Sequence, residues 1–218
     1  MQKFNNGFVW FEKLHILNYG IFQGSHDFIF DQGKTFIIGG NGTGKTTIVN
    51  AIKEYFSHDN KPDIIDSKVE LYLSGNEELI EKYLKLVFLG SNTATDLVEN
   101  YDELFIDIID IKLKHKIDEE VKNIYHIFIP WDDRSLQDNI DFSGMAMGNI
   151  VCSSYAIALA CRKVLNINLP MIFDAPYGAL DPIVRNNVKV YLHQQPYQQI
   201  FIGNESNFME EDKIDYTL

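Results

Sequence analysis

Positive charge is scarce in this chain. Across 218 residues, 19 Lys and Arg face 31 Asp and Glu, a formal net charge of −12. That balance excludes a protein that coats nucleic acid through bulk positive charge and leaves room only for a local basic strip. Cysteine is nearly absent. Cys152 and Cys161 fall in one expected helix, too far apart to bridge each other, and two thiols cannot make a thiolate-only zinc site. They read as small buried hydrophobes. No apolar run reaches membrane-spanning length. The opening Met1-Gln2-Lys3-Phe4-Asn5-Asn6 lacks the apolar stretch and small-residue cleavage site of a signal peptide, so a cytoplasmic protein without a membrane partner is expected. The histidines show no metal-ligand spacing. A serine-hydrolase elbow, a guanine-reading Asn-Lys-x-Asp, an internal repeat and low-complexity sequence are all missing.

What is present is the makings of a packed core: 45% hydrophobic and 23% charged residues, in a length that fits one α/β domain or a two-lobed head. Apolar and aromatic runs predict strands over 8–17, 26–30 and 35–38, with turns at 18–20 and 31–34. Helical spacing follows over 46–56, where Ile48, Ala51, Ile52 and Phe56 recur. The middle reads as a loop over 57–67, a strand over 69–73, a helix over 76–89 and a loop over 91–95. Strands over 104–117 and 125–129 and a loop over 132–141 complete it. A long helix over 144–165, a strand over 171–173, a helix over 182–193 and a strand over 199–202 close the pattern. Strands alternating with helices predict an α/β fold with a mostly parallel sheet, and the first two strands an antiparallel layer beside it. The expected layout is one domain over 1–218, with an N-terminal lobe over 1–57, a variable insert over 58–140 and a C-terminal lobe over 141–218.

The run Gly39-Gly40-Asn41-Gly42-Thr43-Gly44-Lys45-Thr46 fits G-x-x-x-x-G-K-[ST] at every position, between a buried strand and a helix. Glycines let a backbone wrap a phosphate with its N–H groups inward, and the following helix aims its positive end at the anion. Lys45 then reaches the β- and γ-phosphates, and the Thr46 hydroxyl serves Mg²⁺. Such a loop needs a distant carboxylate on the metal side. Asp174, closing the apolar run Met171-Ile172-Phe173, is the candidate; the competing reading is a turn aspartate before Pro176. Phe142-Ser143-Gly144 lies upstream at a helix start, and Gly178-Ala179-Leu180-Asp181 downstream.

This order of pieces is that of ABC ATPases. Asn41-Gly42-Thr43-Gly44-Lys45-Thr46-Thr47 resembles the loop of the SMC, RecF, RecN and DndD-like ATPases, DNA-repair ATPases that work with a nuclease among them. Leu14 to Gly20, Gly24 and Phe28 are similar to their first strands, and Phe173 to Asp181 looks most like the DndD version. The resemblance covers about residues 8–57 and 140–204. It implies a P-loop head of the ABC type that binds ATP and Mg²⁺ and forms a homodimer through two ATP molecules. Ser143 and Gly144 of one copy would act in trans on nucleotide held by Gly39, Asn41 to Thr47 and Asp174 of the other, and Asp181 would lie at the seam. Protein partners (a nuclease or another effector) and DNA are implied as well, with a role in DNA processing or defence. A purely ATP-sensing subunit and a transporter subunit are the competing functions.

The departures bear on catalysis. Ala175 stands where ABC enzymes carry the glutamate that positions water, and alanine cannot polarise water. Met145 and Ala146 replace usual signature residues, Gly203-Asn204-Glu205 occupies the place of the switch histidine, and no Gln lies between Thr47 and Arg134. No sustained heptad run separates Lys45 from Ser143, so the chain reads either as a compact head or as a head whose coiled-coil arms are deleted. Two further readings stay open. Lys112, Lys114 and Lys116 form either a contact for DNA or a partner, or a solvated strand face. Tyr19 and Phe22 pack either near adenine or in the core.

Overall fold

The structure, a computed structural model, describes residues 7–56, 66–90, 93–131, 145–208 and 212–218. Two compact units emerge. The first holds Met1–Glu81, Asn168–Pro176 and Tyr197–Leu218; the second holds Lys82–Ile167 and Tyr177–Pro196.

In the first unit, β1 (Val9–Tyr19) pairs antiparallel with β2 (Phe22–Ile29) on one side and β4 (Lys68–Gly75) on the other. Alternation decides which face is inside: Val9, Phe11, Leu14, Ile16 and Tyr19 are buried, with a register shift between Phe11 and Lys13 keeping the pattern in phase. The outer face is polar. Asp27 accepts from Lys13 at 2.9 Å and bonds the His15 ring at 2.6 Å.

A parallel layer follows. β6 (Met171–Asp174), β7 (Gln199–Gly203), β3 (Lys34–Ile38) and β8 (Tyr216–Thr217) lie side by side in that order. β6 and β7 are short near-continuous apolar runs, as expected of strands covered on both faces. Phe173, Phe201 and Phe36 occupy matching positions on three neighbouring strands and stack with centroids 4.8 and 5.1 Å apart. Such cross-strand aromatic pairs pin register. Helix α1 (Lys45–Phe56) packs against β1, β4 and β6 through Ile48, Val49, Ala51, Ile52 and Phe56, the predicted stripe.

Gln198 ties the two layers. Its side chain is 2% exposed; Oε1 accepts from Phe11 N at 2.8 Å, and Nε2 donates to Phe11 O and Asp31 O, both at 2.8 Å. The amide thus stands in for a missing strand partner of β1.

The second unit is mainly helical. β5 (Phe88–Gly90) is buried throughout. α6 (Met147–Leu165) is its centre, buried continuously from Val151 to Arg162, with α3 (Ala94–Glu99) and α5 (Lys114–Phe128) packed on it. α7 (Pro182–His193) packs on α5, where Tyr191 meets Phe128 edge-on at 5.5 Å and Asn187 donates to Phe128 O at 3.1 Å. Arg162 is fully buried. Its guanidinium donates to Ala158 O and Leu86 O, both at 2.9 Å, which offsets part of the cost of taking the charge out of water.

Several sequence expectations for the middle are corrected here. The strands expected over 104–117 and 125–129 are helical: α4 (Leu104–Asp107), a 3₁₀ turn over Ile111–Leu113, then α5. The reason is periodicity. Ile117, Val121, Ile124, Tyr125 and Phe128 are buried at helical spacing, whereas Ile111 is exposed and no alternating face is covered. Lys112, Lys114 and Lys116 therefore share no strand face. Lys114 instead bonds Asp118 at 3.2 Å and sits 5.0 Å from the Tyr101 ring centre. The helix expected over 76–89 stops early, as α2 (Glu77–Lys82), a 3₁₀ turn over Leu84–Leu86 and then β5. The loop expected over 91–95 gives way to α3 at Ala94. The loop expected over 132–141 lies outside the described residues.

The packing generates three predictions. Gln198→Ala strands a buried backbone donor and acceptor at Phe11 and is expected to cost about 3 kcal/mol, measured by urea denaturation. Burial pushes both the Cys152 and Cys161 thiols up to about 12. Native protein at pH 8 should therefore resist alkylation while urea-unfolded protein reacts at both sites. Because the folded state keeps these thiols protonated, stability should fall as pH climbs past the unfolded thiol's ordinary 9.

Candidate functional site

The parallel register builds the site. Ile38, the last residue of β3, pairs with Gly203, and Asp174, the last residue of β6, pairs with Ile202. Both strands therefore end at one edge of the sheet, the carboxyl edge, where ligands of open α/β sheets bind.

From that edge residues 39–44 curl into α1. Gly39 N donates to Gly203 O at 3.1 Å, anchoring the loop's first residue. Thr43 Oγ1 donates to Gly40 O at 3.0 Å and closes the curl. Gly42 and Gly44 have φ of +80° and +107°, a region that side-chain-bearing residues rarely enter. At Gly44 space is missing too: a Cβ would lie 2.7 Å from Phe22 Cζ. Phe22 is buried, as is Tyr19, whose hydroxyl is pushed up by burial and by its hydrogen bond to Glu54. Both are core residues, and the β1–β2 turn they flank is the wall of the loop.

Lys45 is half-buried. Its Nζ donates to Gly39 O at 2.7 Å and to Gly40 O, so the ammonium sits inside the curl of the loop. Thr46 is exposed at the helix start and Thr47 half-buried; Asn41 and Gly42 are exposed on the outer turn and Thr43 is half-buried. Asp174 is half-buried. Burial pushes its carboxyl above the ordinary value, against the pull of Lys53 first and Lys45 second. The sheet edge thus gathers a lysine, a hydroxyl, a run of loop amides and a carboxylate that burial leaves short of counter-charge. That donor set fits a nucleotide phosphate and a hard divalent cation: amides and ammonium for the anion, hydroxyl and carboxylate for the metal. Sequence reasoning missed Lys53. The only signal was its place two turns beyond Lys45 on the same helix.

Ala175 has φ of +52°, and its N donates to Ile202 O at 2.8 Å, so the chain turns sharply just after Asp174. Asn204 and Glu205, at the expected switch position, are exposed beyond β7. Ser143 and Gly144 lie outside the described residues. In the second unit, Asp181 is exposed and caps α7, accepting from Ile183 N at 3.0 Å and Val184 N at 3.1 Å. Gly148, one residue into α6, lies against the loop before that cap; a Cβ there would meet Ala179 O at 2.9 Å.

A glycine-bearing loop between a parallel strand and a helix, with lysine and a second-strand aspartate at one sheet edge, defines a phosphate-loop nucleotide-binding domain. The chain belongs to the AAA domain family, which matches residues 13–149. No curated protein matches it. Among solved structures, an SMC head domain from Thermotoga maritima is similar at 16% identity and a TM-score of 0.58, covering 95% of this chain and 93% of that one. An Smc head bound to the C-terminal winged-helix domain of ScpA matches at 13% identity and a TM-score of 0.60, over 91% of this chain and 90% of that one. An Smc head with an extended coiled coil, bound to the C-terminal domain of ScpA derived from Pyrococcus furiosus, matches at 12% identity, a TM-score of 0.60 and the same coverage. Family and fold together make the chain an AAA-family P-loop domain with the fold of an SMC head. Among the described residues between α1 and α6 the longest helix is the 15-residue α5, so no coiled-coil arm stands there. No helix of the described residues is long and apolar enough to cross a membrane.

The loop geometry generates a graded prediction. Gly42→Ala meets open space and carries only the left-handed backbone penalty, about 1 kcal/mol. Gly44→Ala adds a clash with Phe22 and should cost about 3 kcal/mol. Chemical denaturation of the two variants should reproduce that order.

Proposed function

We propose that the chain is an ATP-binding head, acting as one functional domain, that closes on a second copy around two Mg-ATP and so drives or gates a DNA-processing or defence complex. The observation that carries this is the joint presence of Lys45, Thr46 and Asp174 at one sheet edge, beside a loop whose glycines Gly42 and Gly44 take positive φ. Lys45 trades its bonds to Gly39 O and Gly40 O for phosphate oxygens. Asn41 to Gly44 present backbone N–H groups, and Thr46 with Asp174 holds the magnesium. When bound, the magnesium neutralises phosphate charge and orients the terminal phosphate.

In this reading Ser143 and Gly144 of one copy close on the phosphate held by the other, and Asp181 lies at the seam between copies. The similarity to Smc heads bound to ScpA supports a protein partner at the head, which here would be a nuclease or another effector. A second reading is favoured by Ala175. Without a carboxylate beside Asp174, water is poorly activated, so ATP binding and dimerisation would act as a sensor with slow turnover. Magnesium, DNA and a cytoplasmic setting belong to this proposal as a whole.

Titration calorimetry with Mg-ATP and sedimentation with a non-hydrolysable analogue test it. Wild type should bind and dimerise on binding. Lys45→Ala should weaken affinity about 30-fold or more, the scale of losing a charge-assisted contact to phosphate. Asp174→Asn should weaken magnesium-dependent binding selectively. Absence of Mg-ATP affinity in wild type sinks the reading. Dimerisation with negligible phosphate release would select the sensor over the motor.

A further inference from the structure

Residues 215–218 run beside β3, the strand that delivers the phosphate loop. Asp215 is bonded twice to one residue of that strand: its N donates to Phe36 O at 3.0 Å, and its Oδ2 accepts from Phe36 N at 2.8 Å. Tyr216 and Thr217 then lie in parallel register with Ile37 and Ile38, and Leu218 N donates to Ile38 O at 2.8 Å. β7 holds the other side of β3, so this short segment completes the pairing of the loop-bearing strand up to its last residue.

Both ends of the segment are fixed by side chains. The Tyr216 hydroxyl accepts from Ile29 N at 2.6 Å and donates to Ile29 O at 3.1 Å, and its ring meets Phe28 edge-on at 5.3 Å. That binds the segment to β2 of the antiparallel layer. Leu218 reaches the loop itself. Its Cβ is 3.1 Å from the place a Cβ on Gly39 would take, on a glycine whose carbonyl receives Lys45 Nζ.

We propose that residues 215–218 are a strap that positions the phosphate loop: Tyr216 moors it to β2, and Leu218 bears on Gly39 and holds the curl closed before any anion arrives. A cradle ordered in advance does not spend binding energy on its own ordering, so the strap raises phosphate affinity without touching phosphate. Its value for ligand rests on the nucleotide reading above; its effect on loop order does not.

Tyr216→Phe keeps the ring on Phe28 and removes only the two bonds to Ile29. Leu218→Gly keeps the backbone bond to Ile38 and removes the Cβ that faces Gly39. Hydrogen exchange of the unliganded full chain should show the amides of 39–44 exchanging about tenfold faster in each variant, with α5 and α6 unchanged. Mg-ADP affinity should fall about tenfold. Loop exchange equal to wild type in both variants overturns the strap, as does a uniform loss of protection that includes α5 and α6, the mark of a purely structural segment. Faster loop exchange in a protein whose wild type does not bind Mg-ADP would uphold the strap and overturn the nucleotide reading.

Discussion

The molecule's chemistry depends on the register of three parallel strands. β3 and β6 come from distant parts of the chain, and each is short. What makes them end together is β7 between them, paired residue for residue with both, and the stack of Phe36, Phe201 and Phe173 across the three. A slip of one residue would turn the aromatic ladder to the opposite face of the sheet and carry Asp174 about 3.3 Å along the strand direction. The apolar core therefore enforces the spacing of polar groups that never touch it.

Around that edge the charges are set against burial. Asp174 is held where water is partly excluded, which disfavours its ionised form, and two lysines of one helix, Lys45 and Lys53, act in the opposite direction. Lys45 is itself committed to carbonyls of the loop. Lys53 is the steadier influence on the carboxylate, since no carbonyl ligand exchange is required of it in the nucleotide reading. Thr46, at the same end of α1 as Lys45, faces solvent. In the proposed reading, burial and exposure would thus be divided between the carboxylate, whose dry setting would strengthen its hold on a cation, and the hydroxyl, which would need to stay accessible.

The parts of this arrangement that sequence revealed are those set by local rules. The glycine spacing of 39–44, the apolar run before Asp174, the stripe of α1 and the helix α7 behind Asp181 and Pro182 were all legible, because each is decided by residues within one or two turns. The middle was not. Over 104–129, aromatic and β-branched residues mixed with lysines imitate a strand in any short window; only the full span from Ile117 to Phe128 shows the helical stripe. β8 went unread for a different reason. Two residues carry no period at all, and Tyr216–Thr217 is a strand only because β3 offers an edge and Ile29 a partner for the tyrosine hydroxyl. Lys53 and Leu218 matter through neighbours that no spacing rule connects to them.

The turn at Ala175 separates two properties that sequence alone runs together. An alanine at φ +52° is strained by about 1 kcal/mol, and nothing in its methyl group repays that. The turn is held by the backbone instead, through Ala175 N on Ile202 O and the buried Pro176 that follows. Its shape is therefore indifferent to whether the side chain at 175 carries a carboxylate. In the proposed reading, an alanine here would leave water without an activating carboxylate, while Asp174, its burial and its place in the sheet stay unaltered. Nucleotide binding and nucleotide hydrolysis would accordingly rest on different atoms in that reading, so that the first could be kept in full while the second is slow.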